Sequence, residues 1–161
     1  DEYLHMTEKK TGAMISLCMK IPALLANQDE ALCSQLWDFG CNIGKGFQIQ
    51  DDVLEIFSGI EAMGKSLGSD VITDKQTALT IMARKIVPEK WSEFTQRTQE
   101  QKIDEKLASL RTFFTETEVY AKTTAMAEEY FNNALDDLMV VPKPGRKELV
   151  AFTNFIKNRK F

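Results

Sequence analysis

Three acidic side chains lie close together in a short and otherwise apolar stretch of the sequence. Asp51, Asp52 and Glu55 fall within residues 46–59, GFQIQDDVLEIFSG, and no Lys or Arg lies within one helical turn of them. If this stretch is helical, Asp51 and Glu55 project from one face, about 6 Å apart along the axis. Carboxylates without a partner in apolar surroundings are costly. The stretch therefore predicts a cation site, and Mg²⁺ is the natural candidate because it prefers oxygen ligands and often shares them with phosphates.

The alternative is a solvated acidic helix face, which is our interpretation of the pair Asp136 and Asp137. Residues 51–55 differ from that pair because apolar residues flank them on both sides. This difference favours metal binding at residues 51–55 over a solvated face.

Helices are predicted to position these acids. Apolar residues spaced three and four apart predict a helix over residues 1–26, which Pro22 could kink or divide. Asp29 is a suitable N-cap for a long helix over residues 30–57, which is poor in Lys and Arg and is expected to be central in a bundle. Three glycines inside this helix, Gly40, Gly44 and Gly46, indicate close helix packing or substrate access.

The rest of the chain is also predicted to be mainly helical. Its pattern predicts a loop over 59–76, helices over 76–87, 89–101, 103–115 and 117–139, a turn at 142–145 and a final amphipathic helix.

The length and composition fit one domain, and the helical pattern without strand-like alternation predicts an all-α fold. The chain has 161 residues, 43% of them hydrophobic, with no apolar run long enough for a membrane span.

A net charge of −4 disfavours nucleic acid as the main partner, and the single histidine leaves no histidine cluster for zinc. Three cysteines without a CxxC pair favour reduced thiols in an intracellular protein. The chain begins at Asp1 inside a predicted helix, so we expect a fragment of a longer protein.

Three motifs together resemble those of a known family. Residues 46–59 are followed by GKSLGSDVITDKQT (64–77) and preceded by KKTGAM (9–14). In this order the motifs resemble the second half of the trans-type polyprenyl diphosphate synthases, the farnesyl and geranylgeranyl diphosphate synthase family. The resemblance covers essentially the whole chain. It implies an all-α fold, the C-terminal part of the isoprenoid synthase helical bundle, with residues 1–161 as a single helical domain and the first aspartate-rich motif upstream.

The resemblance also implies roles for the acidic residues. Asp51 and Asp52 correspond to ligands of the Mg²⁺ ions that bridge the protein and an allylic diphosphate. The family's third acid is usually Asp, whereas this chain has Glu55, whose carboxylate reaches one methylene further. We expect all three to be metal ligands, with Glu55 the position at which the chain departs from the family pattern.

Five further residues acquire roles from the same resemblance. Lys10 is expected to bind diphosphate, and Thr11 and Gln48 to present oxygen dipoles to the developing carbocation. Neutral dipoles suit this task because a carboxylate there could be alkylated and a cation would repel the intermediate. Lys65 and Lys75 resemble loop lysines that hold the diphosphate from above. Without the resemblance, an ordinary solvated side chain is the favoured interpretation of each of these lysines.

The implied activity is prenyl transfer between isopentenyl diphosphate and an allylic diphosphate. The resemblance also implies Mg²⁺ as cofactor, a cytoplasmic homodimer, and no transmembrane segment. We expect the 161-residue chain alone to be inactive because it carries one of the two carboxylate sets that the reaction needs. Two alternatives remain at this point: a non-catalytic helical partner or regulatory subunit of a synthase, and a terpene cyclase. The cyclase fits less well, because its second metal motif places its ligands at wider spacing than residues 51–55.

Overall fold

The computed structural model describes residues 1–58 and 75–159, and these residues form helices and no strand. The predicted all-α fold is therefore confirmed. We number the α-helices of the described residues in chain order. They are α1 (Glu2–Thr7), α2 (Ala13–Leu25), α3 (Glu30–Phe57), α4 (Ala78–Ile86), α5 (Pro88–Arg97), α6 (Ile103–Glu116), α7 (Val119–Asp137) and α8 (Lys143–Lys157).

Helix α3 has the bounds that the sequence predicts. Its start is set by Asp29, whose side-chain Oδ1 accepts a hydrogen bond of 2.8 Å from the backbone N–H of Leu32. This bond satisfies one of the first-turn amides, which have no partner within the helix. The helix then continues without a break to Phe57 and carries all three acids of the 51–55 cluster.

The first predicted helix is interrupted, but not at Pro22. A π-helical segment, Glu8–Gly12, separates α1 from α2. Helix α2 continues past Pro22 to Leu25, and the chain then reverses at Asn27, which has a positive φ of 52°. Asparagine tolerates this left-handed conformation better than most residues. The interruption therefore falls on the KKTGAM motif.

The predicted turn at residues 142–145 is wrong. Pro142 is the N-cap of α8, and Pro144 and Gly145 lie in the first turn of that helix. Proline is tolerated there because first-turn amides have no partner within the helix. The other predicted helices are confirmed with slightly different ends, and a short 3₁₀ turn, Leu138–Val140, follows α7. Of the predicted loop 59–76, residues 59–74 lie outside the described part of the chain.

The described residues fall into two compact units. The first unit contains residues 1–48 and 126–159, and its core includes Phe39, Ile43, Phe131, Ala134 and Leu138. The second unit contains residues 49–58 and 75–125. Its core is a cluster of apolar side chains that includes Val53, Ile56, Leu79, Trp91, Phe94, Leu107, Leu110 and Phe114.

Two predictions from composition can be compared with the described residues. No helix among residues 1–58 and 75–159 is both long and apolar enough to cross a membrane. All three cysteines are free thiols: Cys33 and Cys41 are buried, and Cys18 is exposed.

Candidate active site

The acids of α3 differ in their exposure. Asp51 and Glu55 are half-buried, four residues apart on one face of the helix, whereas only 3% of Asp52 is exposed. Within residues 1–58 and 75–159, no group of three or more His, Cys, Asp or Glu side chains is arranged to hold a metal ion. A magnesium ion does not require such a group, because it is usually bound by one or two carboxylates together with substrate phosphates and water. The half-buried carboxylates of Asp51 and Glu55 fit this mode of magnesium binding.

Asp52 makes a contact that sequence analysis missed. Its Oδ2 accepts a hydrogen bond of 2.7 Å from the backbone N–H of Ala78, the first residue of α4. A carboxylate is favoured at this end of a helix by the unsatisfied amides and the helix dipole. Thr77 caps the same end through a reciprocal capping box with Thr80. Asp52 therefore joins the acidic segment of α3 to the start of α4.

Arg111 of α6 binds the C-terminal end of α3. Its Nε donates to the carbonyl oxygen of Ile56 at 2.5 Å, and its Nη2 donates to that of Ser58 at 3.0 Å. The last carbonyls of a helix have no partner within it, so a guanidinium with two donors is well suited to them. This interaction fixes the helix end that follows Glu55. Nothing in the sequence around Arg111 indicated the contact.

The π-helical segment carries both residues of the Lys-Thr motif. Lys10 is exposed, whereas Thr11 is half-buried and its hydroxyl donates to the side-chain oxygen of Gln48 at 3.4 Å. The structure therefore brings Thr11 and Gln48 together, as two members of the predicted dipole group. Short π segments inside α-helices are frequent at functional sites. That Lys10 binds diphosphate stays a prediction.

A close helix crossing explains how Thr11 reaches Gln48. A Cβ on Gly44 of α3 would lie 2.4 Å from the Cα of Gly12, which follows Thr11. One turn earlier, a Cβ on Gly40 would lie 2.4 Å from the Cα of Ser16. The backbones can approach this closely only because both α3 positions lack a side chain. Of the two roles predicted for the glycines of this helix, close packing or substrate access, close packing applies to Gly40 and Gly44.

Polar contacts hold the same crossing. Lys45 of α3 forms an ion pair of 2.6 Å with Glu8 at the start of the π segment. The hydrogen bond from Lys45 holds the pKa of the Glu8 carboxyl below its ordinary value, against an opposing effect of burial. Ser16 donates to the carbonyl oxygen of Trp37 at 2.7 Å and contacts Cys41 Sγ at 3.2 Å. Burial raises the pKa of the Cys41 thiol.

The chain's C-terminal region contacts α3 next to Gln48. The guanidinium carbon of Arg159 lies 3.9 Å from the ring centroid of Phe47, and its Nη2 donates to the Phe47 carbonyl oxygen at 3.3 Å. This stacking geometry is that of a cation–π interaction. It places a positive charge beside the residue that precedes Gln48.

The structure describes only one of the two predicted loop lysines. Lys75 is exposed and lies just before the capping residue Thr77 of α4. Lys65 lies outside the described residues, so its role stays a prediction.

Comparisons with known proteins agree on a single family. The family model described as polyprenyl synthetase matches residues 1–114, which include every predicted site residue. Geranylgeranyl pyrophosphate synthase from Geoglobus acetivorans is 35% identical over 98% of this chain and 48% of its own length. Geranylgeranyl diphosphate synthase from Sulfolobus acidocaldarius is 31% identical over 99% of this chain and 50% of its own length.

Solved structures give the same result for the fold. A geranylgeranyl pyrophosphate synthetase from Pyrococcus horikoshii matches 99% of this chain and 49% of its own chain, with a TM-score of 0.88 and 25% identity. The Geoglobus acetivorans enzyme matches 98% of this chain and 47% of its own, with a TM-score of 0.75. The chain thus spans about half the length of the curated relatives it matches. Because the family model matches residues 1–114, more than two thirds of the chain, the chain belongs to the polyprenyl synthetase family.

Proposed function

We propose that this chain is part of a prenyltransferase that condenses isopentenyl diphosphate with an allylic diphosphate to give a longer polyprenyl diphosphate. The observation that carries the proposal is the match of residues 1–114 to the polyprenyl synthetase family, together with the acid-bearing helix α3 inside that range. Relatives named as geranylgeranyl diphosphate synthases support the same activity. Neither a non-catalytic partner subunit nor a cyclase is favoured by a contact among the described residues.

The first chemical step is loss of diphosphate from the allylic substrate. The C–O bond breaks, the diphosphate leaves with the electron pair, and an allylic cation remains. Mg²⁺ bound to the acidic segment would neutralise the charge of the leaving group. We propose that Asp51 and Glu55, which share one half-buried face of α3, are its ligands. Asp52 is proposed as the third member of the set, with its carboxylate oriented by the amide of Ala78.

The protein's own dipoles then act on the cation. We propose that the hydroxyl of Thr11 and the amide oxygen of Gln48, which are in contact, present partial negative charge without a nucleophilic carboxylate. Lys10, Lys65 and Lys75 are proposed to hold diphosphate oxygens. The double bond of isopentenyl diphosphate attacks the cation to form a new C–C bond. A proton is then lost, we propose to the departed diphosphate, and a double bond is restored.

The complete enzyme is proposed to need more than this chain. The reaction requires carboxylates on both sides of the diphosphate, and the chain spans about half the length of its relatives. We propose that the second set lies in a further helical segment, and that residues 1–161 alone do not catalyse prenyl transfer. A cytoplasmic location and a homodimeric assembly are proposed on the family resemblance.

Calorimetry with inorganic diphosphate tests the metal site. We expect the protein that contains this chain to bind diphosphate in the presence of Mg²⁺ and not in excess chelator, because the carboxylates and the phosphates repel each other without a cation. Asp51→Asn should remove most of the metal-dependent binding. Asp136→Asn is the matched control, because Asp136 is an exposed acid outside the cluster. Equal binding with and without chelator, or equal loss in both variants, would contradict the proposed site.

A further inference from the structure

The ion pair between Glu8 and Lys45 connects three helical elements of the first unit. Lys45 Nζ lies 2.6 Å from Glu8 Oε2 at the start of the π segment, and 5.6 Å from the ring centroid of Tyr130 in α7. Only 17% of the Lys45 side chain is exposed, compared with 39% of the Glu8 side chain. Because salt screens partly buried charges less than exposed ones, this pair is stronger than a typical surface pair.

The ion pair is adjacent to the contact between Thr11 and Gln48 on both segments. Glu8 is three residues before Thr11, and Lys45 is three residues before Gln48. Residues three apart on an α-helix are neighbours on its surface, so Lys45 and Gln48 share a face of α3. The ion pair and the Thr11–Gln48 contact are therefore two side-chain links across one helix crossing.

The Thr11–Gln48 contact is too weak to fix its own geometry. At 3.4 Å it is longer than the usual distance of about 2.7–2.8 Å between the oxygens of a hydroxyl hydrogen bond. The approach of Gly12 to Gly44 brings the two backbones together. Without side chains, however, this approach does not determine how far one segment slides or turns on the other. The register of the π segment must therefore be set by a stronger contact.

We propose that Glu8 and Lys45 are positioning residues, whose ion pair fixes the register of the π segment on α3 and so holds the Thr11 hydroxyl against the Gln48 side chain. The pair acts through Thr11 and Gln48 and does not need to touch the substrate. Its effect on prenyl transfer rests on the proposed function, whereas its effect on the register of the π segment does not.

Loss of the ion pair should slow the reaction without weakening substrate binding. Thr11 and Gln48 are proposed to act on the allylic cation, which forms only after the substrate has bound. Groups that act only at this stage change kcat and leave KM unchanged. In the complete protein that contains this chain, we expect Glu8→Ala and Lys45→Met each to lower kcat about tenfold, because small displacements of catalytic groups have effects of at least this size.

Matched variants separate positioning from a general loss of stability. Lys122→Met removes the same ammonium from an exposed pair with Glu118, at 3.7 Å in the second unit, and should leave kcat unchanged. Lys45→Arg keeps the charge and should retain most of the activity. In a Gln48→Ala background the contact to be positioned is already gone, so Glu8→Ala should have little further effect on kcat.

Hydrogen exchange tests the register without any assay of activity. Lys45→Met should speed exchange of the backbone amides of residues 8–12, because local opening becomes easier when the π segment loses its strongest link to α3. Lys122→Met should leave this exchange unchanged, and Gln48→Ala should change it less than Lys45→Met does. Thermal melts establish that each variant is folded at the temperature of the measurement.

Three results would overturn the proposal. They are unchanged exchange at residues 8–12 in Lys45→Met, a loss of kcat from Glu8→Ala that is as large in the Gln48→Ala background as in the wild type, and an equal loss in Lys122→Met. Failure of the proposed function is a different outcome, in which the wild-type protein forms no prenyl product. The exchange measurement then decides by itself whether the ion pair sets the register of the π segment.

Discussion

The crossing of the π segment over α3 makes Gly44→Ala an informative substitution. The added Cβ would lie 2.4 Å from Gly12 Cα and 2.6 Å from Gly12 N, whereas ordinary contact begins at 3.4 Å. Both obstructing atoms belong to the backbone, so no side chain can rotate away. The two helical segments must move apart by about 1 Å, because packed interiors have no spare volume.

The expected magnitude follows from two opposing effects. Alanine gains about 1 kcal/mol over glycine in a helix interior. Overpacking a close contact costs about 1–3 kcal/mol and more when the backbone must move. We therefore expect a net loss of about 2 kcal/mol in the free energy of unfolding, which lowers Tm by about 4–8 °C for a chain of this size.

Two other glycines provide a graded control. A Cβ on Gly12 would lie 3.3 Å from Cys41 Cα, so Gly12→Ala requires a shift of only a few tenths of an ångström and should cost less. A Cβ on Gly145 would make an ordinary contact of 3.7 Å with Val141, so Gly145→Ala should leave stability unchanged or raise it. Thermal melts followed by far-ultraviolet circular dichroism give the order. If Gly44→Ala melts with or above the Gly145→Ala variant, the close crossing does not exist as described.

Two further predictions concern polar contacts. The hydrogen bond from Lys45 lowers the pKa of Glu8, so the stabilisation from this ion pair is complete above the ordinary pKa of glutamate. It is lost as the pH falls from there through the lowered pKa of Glu8. Urea melts at several pH values should show this acid-side loss in the wild type and a smaller one in Glu8→Gln; identical slopes would contradict the assignment. Arg111→Met should lower the free energy of unfolding by about 1–3 kcal/mol and speed hydrogen exchange at the end of α3, because two carbonyls lose a charged donor. Arg84→Met, at an exposed position, is the control, and equal exchange in both variants would show that the bond to α3 does not hold the helix end.

Most of the local structure could be predicted from the sequence. The bounds of α3 follow from a capping aspartate and a long apolar pattern, and both signals lie within a few residues of the helix they define. The spacing of Asp51 and Glu55 on one face follows from helix geometry alone. The glycines of α3 indicated either close packing or substrate access, without identifying the packing partner. Family membership also follows from motifs that lie along the chain in order.

Tertiary structure decided which of these residues meet. Thr11 reaches Gln48 because Gly12 and Gly44 let two backbones approach, and neither glycine specifies the other in the sequence. Likewise, no local signal in the sequence indicated that the first helix would be interrupted by the π segment and not at Pro22.

The same distinction holds for the acids. The sequence sets the number and spacing of these acids. However, Asp52 accepts a hydrogen bond from the backbone N–H of Ala78, twenty-six residues away, and only the packing of the chain could select that donor. Arg111 binds carbonyls more than fifty residues before it for the same reason. Propensities and caps act over one or two helical turns, so the sequence determines the helices and the residues on each face. Which faces bury against each other depends on how distant side chains fill a shared interior, and that is settled only when the chain is packed.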